Sequence, residues 1–379
     1  MLKKIQIENF KSFKNETTID FNSTNYKILR NTNVNKDGIL KGGIFVGGNA
    51  TGKTNVILAL KLLLDLLFRD RIINIAQYRC LFSEEDTIKL DYEFFIEKKD
   101  VKYSIEYNTF KQTISENLYV DNKNMLNRIG KSAKSKITEN TIYDDLDNKT
   151  LLLRTIYFNT KFTNYPVLKK WFDYLGNSIY IDASLRARYE VLEGYTTLKE
   201  YFDEKGETEI NNFFNKYNFQ QRVEYAKKSS GNLISIEGQE NKSIFFKRND
   251  VKEPIPYEFE SLGNRNLLNM LPSFFKVINN DGMLIIDEFS SAFHNDLEEL
   301  LVKYFMNNSK NSQIFLVSHS TNLLSNSIFR PDQEFSVEFN DSNGSTINRF
   351  SNDKPREAQN IEKMYNSGFF GGLPNYKYD

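Results

Sequence analysis

Eight consecutive residues, Gly47-Gly48-Asn49-Ala50-Thr51-Gly52-Lys53-Thr54, constrain this chain more than any other stretch. They fit the G-x-x-x-x-G-K-[ST] pattern of a phosphate-binding loop. The apolar run Gly43-Ile44-Phe45-Val46 leads in as a buried strand. The stretch 55–68 leads out as a helix, with Leu58, Leu62, Leu63 and Leu66 at helical spacing. Strand, glycine loop and helix N-terminus together aim backbone N–H groups and the positive helix end at one phosphate chain. Glycine permits that close approach because it has no Cβ.

A loop of this kind makes ATP and Mg²⁺ the expected ligands. Gly47, Gly48, Asn49, Ala50, Thr51, Gly52, Lys53, Thr54 and Asn55 are the candidate nucleotide contacts. Lys53 reaches the β- and γ-phosphates, and Thr54 holds Mg²⁺.

Composition narrows the setting. At 379 residues, the length suggests two domains or one with a large insertion. Lys+Arg and Asp+Glu both number 50, so no global charge argues for nucleic acid, although a local patch stays open. With Cys80 the only cysteine, neither an internal disulfide nor a cysteine zinc site can form, and a reducing cytoplasm is the expected location. The N-terminal Met1-Leu2-Lys3-Lys4-Ile5 lacks the apolar core of a secretion signal, and no stretch approaches 18 apolar residues. No membrane association is expected.

Three regions follow from the patterning. Residues 1–120 read as an ATPase lobe carrying the P-loop. Ile5 and Ile7 alternate with polar neighbours, a short strand follows at 17–21, and 88–96 pairs with 101–107 as a hairpin. Residues 116–120 extend that antiparallel sheet. Residues 121–250 read as a mostly helical insertion, with helical patterns at 151–156, at 167–175 around Trp171, at 198–202 and at 210–217. No sustained heptad predicts a coiled-coil arm. Residues 251–379 read as a second ATPase lobe, containing two short apolar strands, Met283-Leu284-Ile285-Ile286 and Ile314-Phe315-Leu316-Val317. The expected class is α/β: a mixed sheet with an antiparallel N-terminal lobe and a helical insertion.

Each of those two strands ends in residues fit for chemistry. Asp287 closes the first, where it can hold the Mg²⁺ shared with Thr54. Glu288, next along, can orient or deprotonate a water that attacks the γ-phosphate. His319 follows the second strand as a γ-phosphate sensor. The chain's other histidine, His294, lies after the acidic pair.

These segments resemble those of a known family. Asp287-Glu288-Phe289-Ser290-Ser291-Ala292-Phe293-His294 resembles the Walker B and D-loop of ABC-type ATPases, and Ser318-His319 their switch histidine. Glu260-Ser261-Leu262-Gly263-Asn264-Arg265 resembles a reduced signature motif. Ile5-Gln6-Ile7-Glu8-Asn9-Phe10-Lys11-Ser12-Phe13 is similar to the opening strand of RecF- and SMC-related ATPases. Arg330-Pro331-Asp332-Gln333 and Tyr365-Asn366-Ser367-Gly368-Phe369-Phe370-Gly371-Gly372-Leu373-Pro374 resemble the tail of the OLD-like ATPases known as AAA family 15. That group includes abortive-infection ATPases and the ATPase subunit of the PARIS phage-defence system. The likeness covers residues 1–118 and 255–379.

The resemblance implies a composite site in which Ser261 and Gly263 bind the γ-phosphate of a partner subunit, so that ATP bridges two heads of a homo-oligomer. His294 stands at the D-loop aspartate position, Asn264 and Arg265 replace the usual signature residues, and Gln77 is the candidate Q-loop glutamine. The chain ends at Asp379, so no C-terminal nuclease is expected, and a separate effector such as a nuclease or toxin is implied. The expected function is ATP hydrolysis used as a switch in anti-phage defence, set off by a phage-derived trigger. The alternative is a RecF/SMC-like DNA-maintenance ATPase. Arg128, Lys131, Lys134, Lys136 and the pair Lys227-Lys228 form either a solvated basic loop or a grip for nucleic-acid phosphates.

Overall fold

The structure, a computed structural model, describes residues 1–191, 197–226, 242–249, 251–291 and 293–373. Lys227, Lys228, Ala292 and Pro374, named above, lie outside them.

Apolar alternation at period two shapes the N-terminal lobe. β1 (Leu2–Glu8) and β2 (Thr17–Asp20) pair antiparallel. After the short helix α1 (Arg30–Asn33) come β3 (Gly42–Val46) and α2 (Lys53–Phe68). Beyond them β4 (Thr87–Ile96), β5 (Lys99–Asn108) and β6 (Thr113–Val120) build an antiparallel sheet. On β4 every second residue, Ile88, Leu90, Tyr92, Phe94 and Ile96, is buried. The β4–β5 turn places Glu97 and Lys98 both at positive φ, the backbone a two-residue hairpin demands.

The region expected to be mostly helical differs from that reading. The sheet continues through β7 (Lys123–Ile129), β8 (Ser132–Ser135) and β9 (Thr141–Tyr143), giving eight strands in the order β2-β1-β4-β5-β6-β7-β8-β9. The helices are present: α3 (Leu152–Thr160), α4 (Pro166–Gly176), α5 (Leu198–Lys205) and α6 (Thr208–Lys216). Between α4 and α5, β10 (Ile179–Asp182) enters the central sheet and β11 (Ala187–Glu190) covers its edge. β12 (Gln221–Ala226), β13 (Ser243–Arg248) and β14 (Ile255–Pro256) form a small separate sheet. Short strands whose polar faces meet solvent leave little apolar signal, which is why helical runs dominated the pattern.

The last region supplies α7 (Leu262–Asn280), β15 (Met283–Asp287), α8 (Asn295–Asn308), β16 (Gln313–Val317), β17 (Glu334–Asn340), β18 (Gly344–Arg349) and α9 (Ile361–Asn366). The central sheet runs β11-β10-β15-β16-β3-β17-β18, with β10, β15, β16, β3 and β17 parallel. Its strands are buried on both faces and divide their side chains between two cores. Phe45, Ile285, Phe315 and Val317 pack toward α2 and the antiparallel sheet. Ile44, Leu284, Ile286 and Leu316 pack toward α7 and α8.

Buried polar groups lock the layers together. The Gln313 side chain accepts from the Leu2 N–H at 2.7 Å and from the Tyr174 hydroxyl at 2.7 Å. It donates to the Leu2 and Leu40 carbonyls, both at 2.9 Å. Arg330, fully buried, pairs with Asp332 at 2.9 Å and donates to the Tyr26 and Ile28 carbonyls. Asp332 also accepts from the Thr24 N–H and hydroxyl, each at 2.7 Å. The Arg330-Pro331-Asp332-Gln333 segment therefore fastens residues 24–33 to the head of β17. Among the described residues, no helix is long and apolar enough to cross a membrane.

Candidate nucleotide site

Register brings the chemistry to one edge of the sheet. Ile286 lies opposite Leu316, Val317 opposite Phe45, and Val46 opposite Ser336. The strands thus end together, and the residues that follow, Asp287, Ser318-His319 and Gly47, converge at their carboxyl ends. That is where open α/β sheets bind ligands.

The P-loop has the backbone its glycines permit. Gly47 has φ 155° and Gly52 φ 104°, and Gly52 caps α2 in the left-handed conformation. A Cβ on Gly52 would lie 2.4 Å from Ser345 Oγ and 2.5 Å from Ser12 Oγ. Those two serines bond each other at 2.6 Å, and Ser345 also donates to the Thr51 carbonyl at 2.6 Å. The Asn55 amide donates to Ser12 at 2.7 Å, so its side chain braces the loop from behind. Thr51 Oγ1 closes the loop by donating to the Gly48 carbonyl at 3.0 Å. Asn49 and Ala50 form its exposed crown, Ala50 at φ 61°.

Lys53 is buried and folds back over the loop. Its ammonium donates to the carbonyls of Gly47 at 3.0 Å and Gly48 at 2.7 Å. Burial draws it below the ordinary lysine value, opposed by the charges of Glu288 and Asp287. Thr54 Oγ1 donates to Asp287 Oδ1 at 3.0 Å. Burial raises the Asp287 carboxyl above the usual range; the Thr54 hydroxyl opposes that rise, and Glu288 and Asp182 add to it. The other Asp287 oxygen takes a long bond, 3.4 Å, from the Tyr180 hydroxyl on β10.

A buried carboxylate beside a threonine hydroxyl is an oxygen donor pair that suits Mg²⁺. Among the described residues no group of three His, Cys, Asp or Glu side chains could hold a metal alone. Waters and phosphate oxygens would complete such an ion's shell.

Glu288 stands at φ 54°, a strained conformation for a residue with a side chain. It is half-exposed, and its Oε1 lies 3.3 Å from His319 Nε2. His319 is itself held by its backbone N–H, which donates to Ser290 Oγ at 3.2 Å. Lys53, Thr54, Asp287, Glu288 and His319 therefore form one constellation from three distant stretches.

Other expected residues stand apart from it. Ser261 caps α7, its Oγ accepting from the Asn264 N–H at 3.3 Å. Gly263 has nothing within 4 Å of where a Cβ would sit. The exposed side chains of Phe259 and Leu262 flank this turn. Glu260 anchors it from beneath, accepting from Arg248 at 2.8 and 2.9 Å, the Ser261 N–H at 2.7 Å and the Asn264 amide at 3.1 Å. Burial works against its charge, but those donors outweigh it and hold the carboxyl below the usual range. His294 is exposed and caps α8 through the Asp296 N–H. Gln77 is exposed in a single 3-10 turn, with its carbonyl accepting from Lys11.

The basic cluster divides. Arg128 is no phosphate grip: it is fully buried, pairs with Glu116 at 3.0 Å, and donates to the carbonyls of Gly130, Asp147 and Thr150. Glu116 also caps α3, accepting from the Leu152 and Leu153 N–H groups at 2.7 and 3.2 Å. Lys131 is exposed and pairs with Asp145 at 2.9 Å, and Lys134 and Lys136 are exposed.

Three contributors were not read from the sequence. Ser12 and Ser345 support Gly52 from elements that sequence spacing cannot connect. Tyr180 carried a signal, because Ile179-Tyr180-Ile181-Asp182 is a short apolar run ending in an acid, like Met283 to Asp287.

Known proteins agree with this architecture. The chain is similar to a solved structure titled "Crystal structure of the SmcHead bound to the C-winged helix domain of ScpA", at 14% identity over 91% of this chain and 96% of that chain, with TM-score 0.54. Weaker likenesses reach the SMC head domain from Thermotoga maritima (16% identity, 91% and 97% covered, TM-score 0.47) and an Smc head domain from Pyrococcus furiosus (13%, 91% and 95%, TM-score 0.45). The first gives the fold, an ABC-type P-loop ATPase head. No curated protein matches the chain. The family described as "AAA domain, putative AbiEii toxin, Type IV TA system" matches residues 44–325, well over half of the chain, and the chain belongs to that family.

Proposed function

We propose that this chain binds ATP with Mg²⁺ at residues 47–55 and hydrolyses it, using the nucleotide as a switch. The observation that carries this reading is the 3.0 Å bond between Thr54 and Asp287, with the Glu288–His319 contact beside it. Thr54 and Asp287 would hold the ion, which when bound neutralises phosphate charge. Lys53 would leave the Gly47 and Gly48 carbonyls for the phosphates. Glu288 would take the proton of the attacking water, and His319 would orient Glu288 and sense the γ-phosphate.

Ser261 and Gly263 would complete the site of a second copy, since their exposed helix start leaves N–H groups and a positive dipole end for a phosphate. ATP would then bridge two heads. In the cytoplasm, such a switch would hold or release a separate effector, a nuclease or toxin, in response to a phage-derived trigger. The toxin in the matched family's description supports this defence reading. The OLD-like and PARIS resemblance belongs to the same proposal.

The second reading, a DNA-maintenance ATPase, draws support from the SMC-head likeness in fold. The burial of Arg128 weakens it. Purified chain and its Lys53→Ala variant, titrated with a fluorescent ATP analogue, test the site. Binding is expected in the parent and not in the variant; equal binding by both overturns the assignment. ATPase activity should not respond to DNA at two salt concentrations, whereas salt-sensitive stimulation favours the DNA reading.

A further inference from the structure

The P-loop is not supported by the sheet and α2 alone. The Gly48 N–H, in the leading half of the loop, donates to the Gly372 carbonyl at 2.8 Å. Gly372 lies in the turn after α9, and contacts of Gly372 and Phe370 fix that turn. Its own N–H donates to Glu338 Oε1 at 2.6 Å, and its carbonyl also accepts from the Tyr365 hydroxyl at 3.2 Å. The preceding Phe370 carbonyl accepts from Ser336 Oγ at 2.6 Å, and the Phe370 ring stacks on Phe350 at 3.9 Å between centroids.

Both glycines are required by shape. Gly371 at φ 72° would set a Cβ 2.3 Å from Glu338 Oε1, and Gly372 at φ 81° would set one 2.9 Å from Ser336 Cβ. Gly47, on the other side of the contact, would place a Cβ 2.5 Å from the Val337 carbonyl. The tail turn, the outer half of β17 and the start of the loop therefore form one close-packed layer.

We infer that the Phe370-Gly371-Gly372 turn is a positioning element of the nucleotide site, holding the leading half of the P-loop through Gly48 so that the loop is preformed for phosphate. The inference rests on the ATP-binding reading above. A loop fixed before the ligand arrives loses less freedom on binding, so affinity is higher. Releasing the Gly48 amide should weaken ATP binding about five- to tenfold, the worth of about one net hydrogen bond. It should not change the rate once ATP is bound, because Gly372 touches none of Lys53, Asp287, Glu288 or His319.

The test measures analogue binding and steady-state hydrolysis for the parent, Gly372→Ala, Glu338→Ala and Glu338→Gln. Gly372→Ala displaces the turn and Glu338→Ala removes its acceptor. Both should raise Kd and KM together while kcat stays within about twofold. Glu338→Gln keeps an acceptor for the Gly372 N–H and should restore parental affinity. Unchanged KM in Gly372→Ala and Glu338→Ala overturns the inference, as does an equal fall in kcat with a lowered melting temperature, the signature of simple loss of fold. A parent that fails to bind ATP sinks the underlying reading instead, so the two failures are distinct.

Discussion

Thr54 and Asp287 are 233 positions apart in the chain and 3.0 Å apart in space. One lies in the first turn of α2 and the other closes β15, with β16 between β15 and β3 in the sheet. Asp287→Asn keeps a hydrogen-bond acceptor for Thr54 but removes the charge. It should leave the melting temperature close to the parental value or slightly higher, since burial disfavours the charged form. Magnesium-dependent ATP binding should weaken at least tenfold, as read by titration with and without a chelator.

Glu288 and His319 should behave as a unit. Glu288→Gln is expected to bind ATP with parental affinity, hydrolyse it about 10²–10⁴-fold more slowly, and accumulate an ATP-bound oligomer visible by light scattering. His319→Ala should be slow too, and the double variant little slower than Glu288→Gln. Parental turnover by Glu288→Gln would falsify the base assignment.

A shared site predicts complementation. Lys53→Ala and Ser261→Arg should each be inactive alone. Mixed, they form one composite site with both Lys53 and Ser261 intact, so partial ATPase activity should return. If mixing restores nothing while oligomers form, Ser261 does not act across subunits.

Arg128 should matter to stability and not to nucleic acid. Removing one member of a buried pair leaves a bare charge, at a cost of about 3–5 kcal/mol. Arg128→Ala should lower the midpoint of denaturant unfolding strongly, because Glu116 loses its charge partner and the carbonyls of Gly130, Asp147 and Thr150 lose their donor. DNA affinity, if any is measured, should be the same in the folded variant.

Glu298 supplies a pH signature. It sits in the first turn of α8, buried, with both carboxylate oxygens lacking a hydrogen-bond partner. Burial pushes its carboxyl up to about 7, opposed in part by nearby Asn322, Ser320 and His294. Between its ordinary value of 4.5 and about 7, the folded chain keeps a proton that the unfolded chain has released. Stability is therefore lost as pH rises through that window. Glu298→Gln should be more stable than the parent at pH 8, by about 1–3 kcal/mol. The gap should close toward pH 4.5; thermal unfolding at both pH values checks this.

Local chemistry was legible in the sequence wherever one short segment carries its own physical reason. The P-loop, its flanking strand and helix, the acidic end of Met283–Asp287 and the histidine after Gln313–Val317 each announce themselves through composition and spacing. So does the β4–β5 hairpin, because alternation at period two with a polar turn admits few other shapes. The strands β7, β8 and β9 were hidden, since runs of seven, four and three residues rich in polar side chains hold too few apolar residues to stand out. Arg128 read as a surface charge for a related reason: nothing in Asn127-Arg128-Ile129 shows that Glu116 and three carbonyls will surround it.

What the sequence alone determined is the list of chemical parts and the period of the elements that present them. The tertiary structure decided which parts meet. Strand order put Asp287 beside Thr54, parallel register aligned three strand ends at one edge, and the folding back of residues 361–373 set Gly372 against Gly48. These contacts span hundreds of residues, and their closeness comes from layers burying their apolar faces together, which no local pattern encodes.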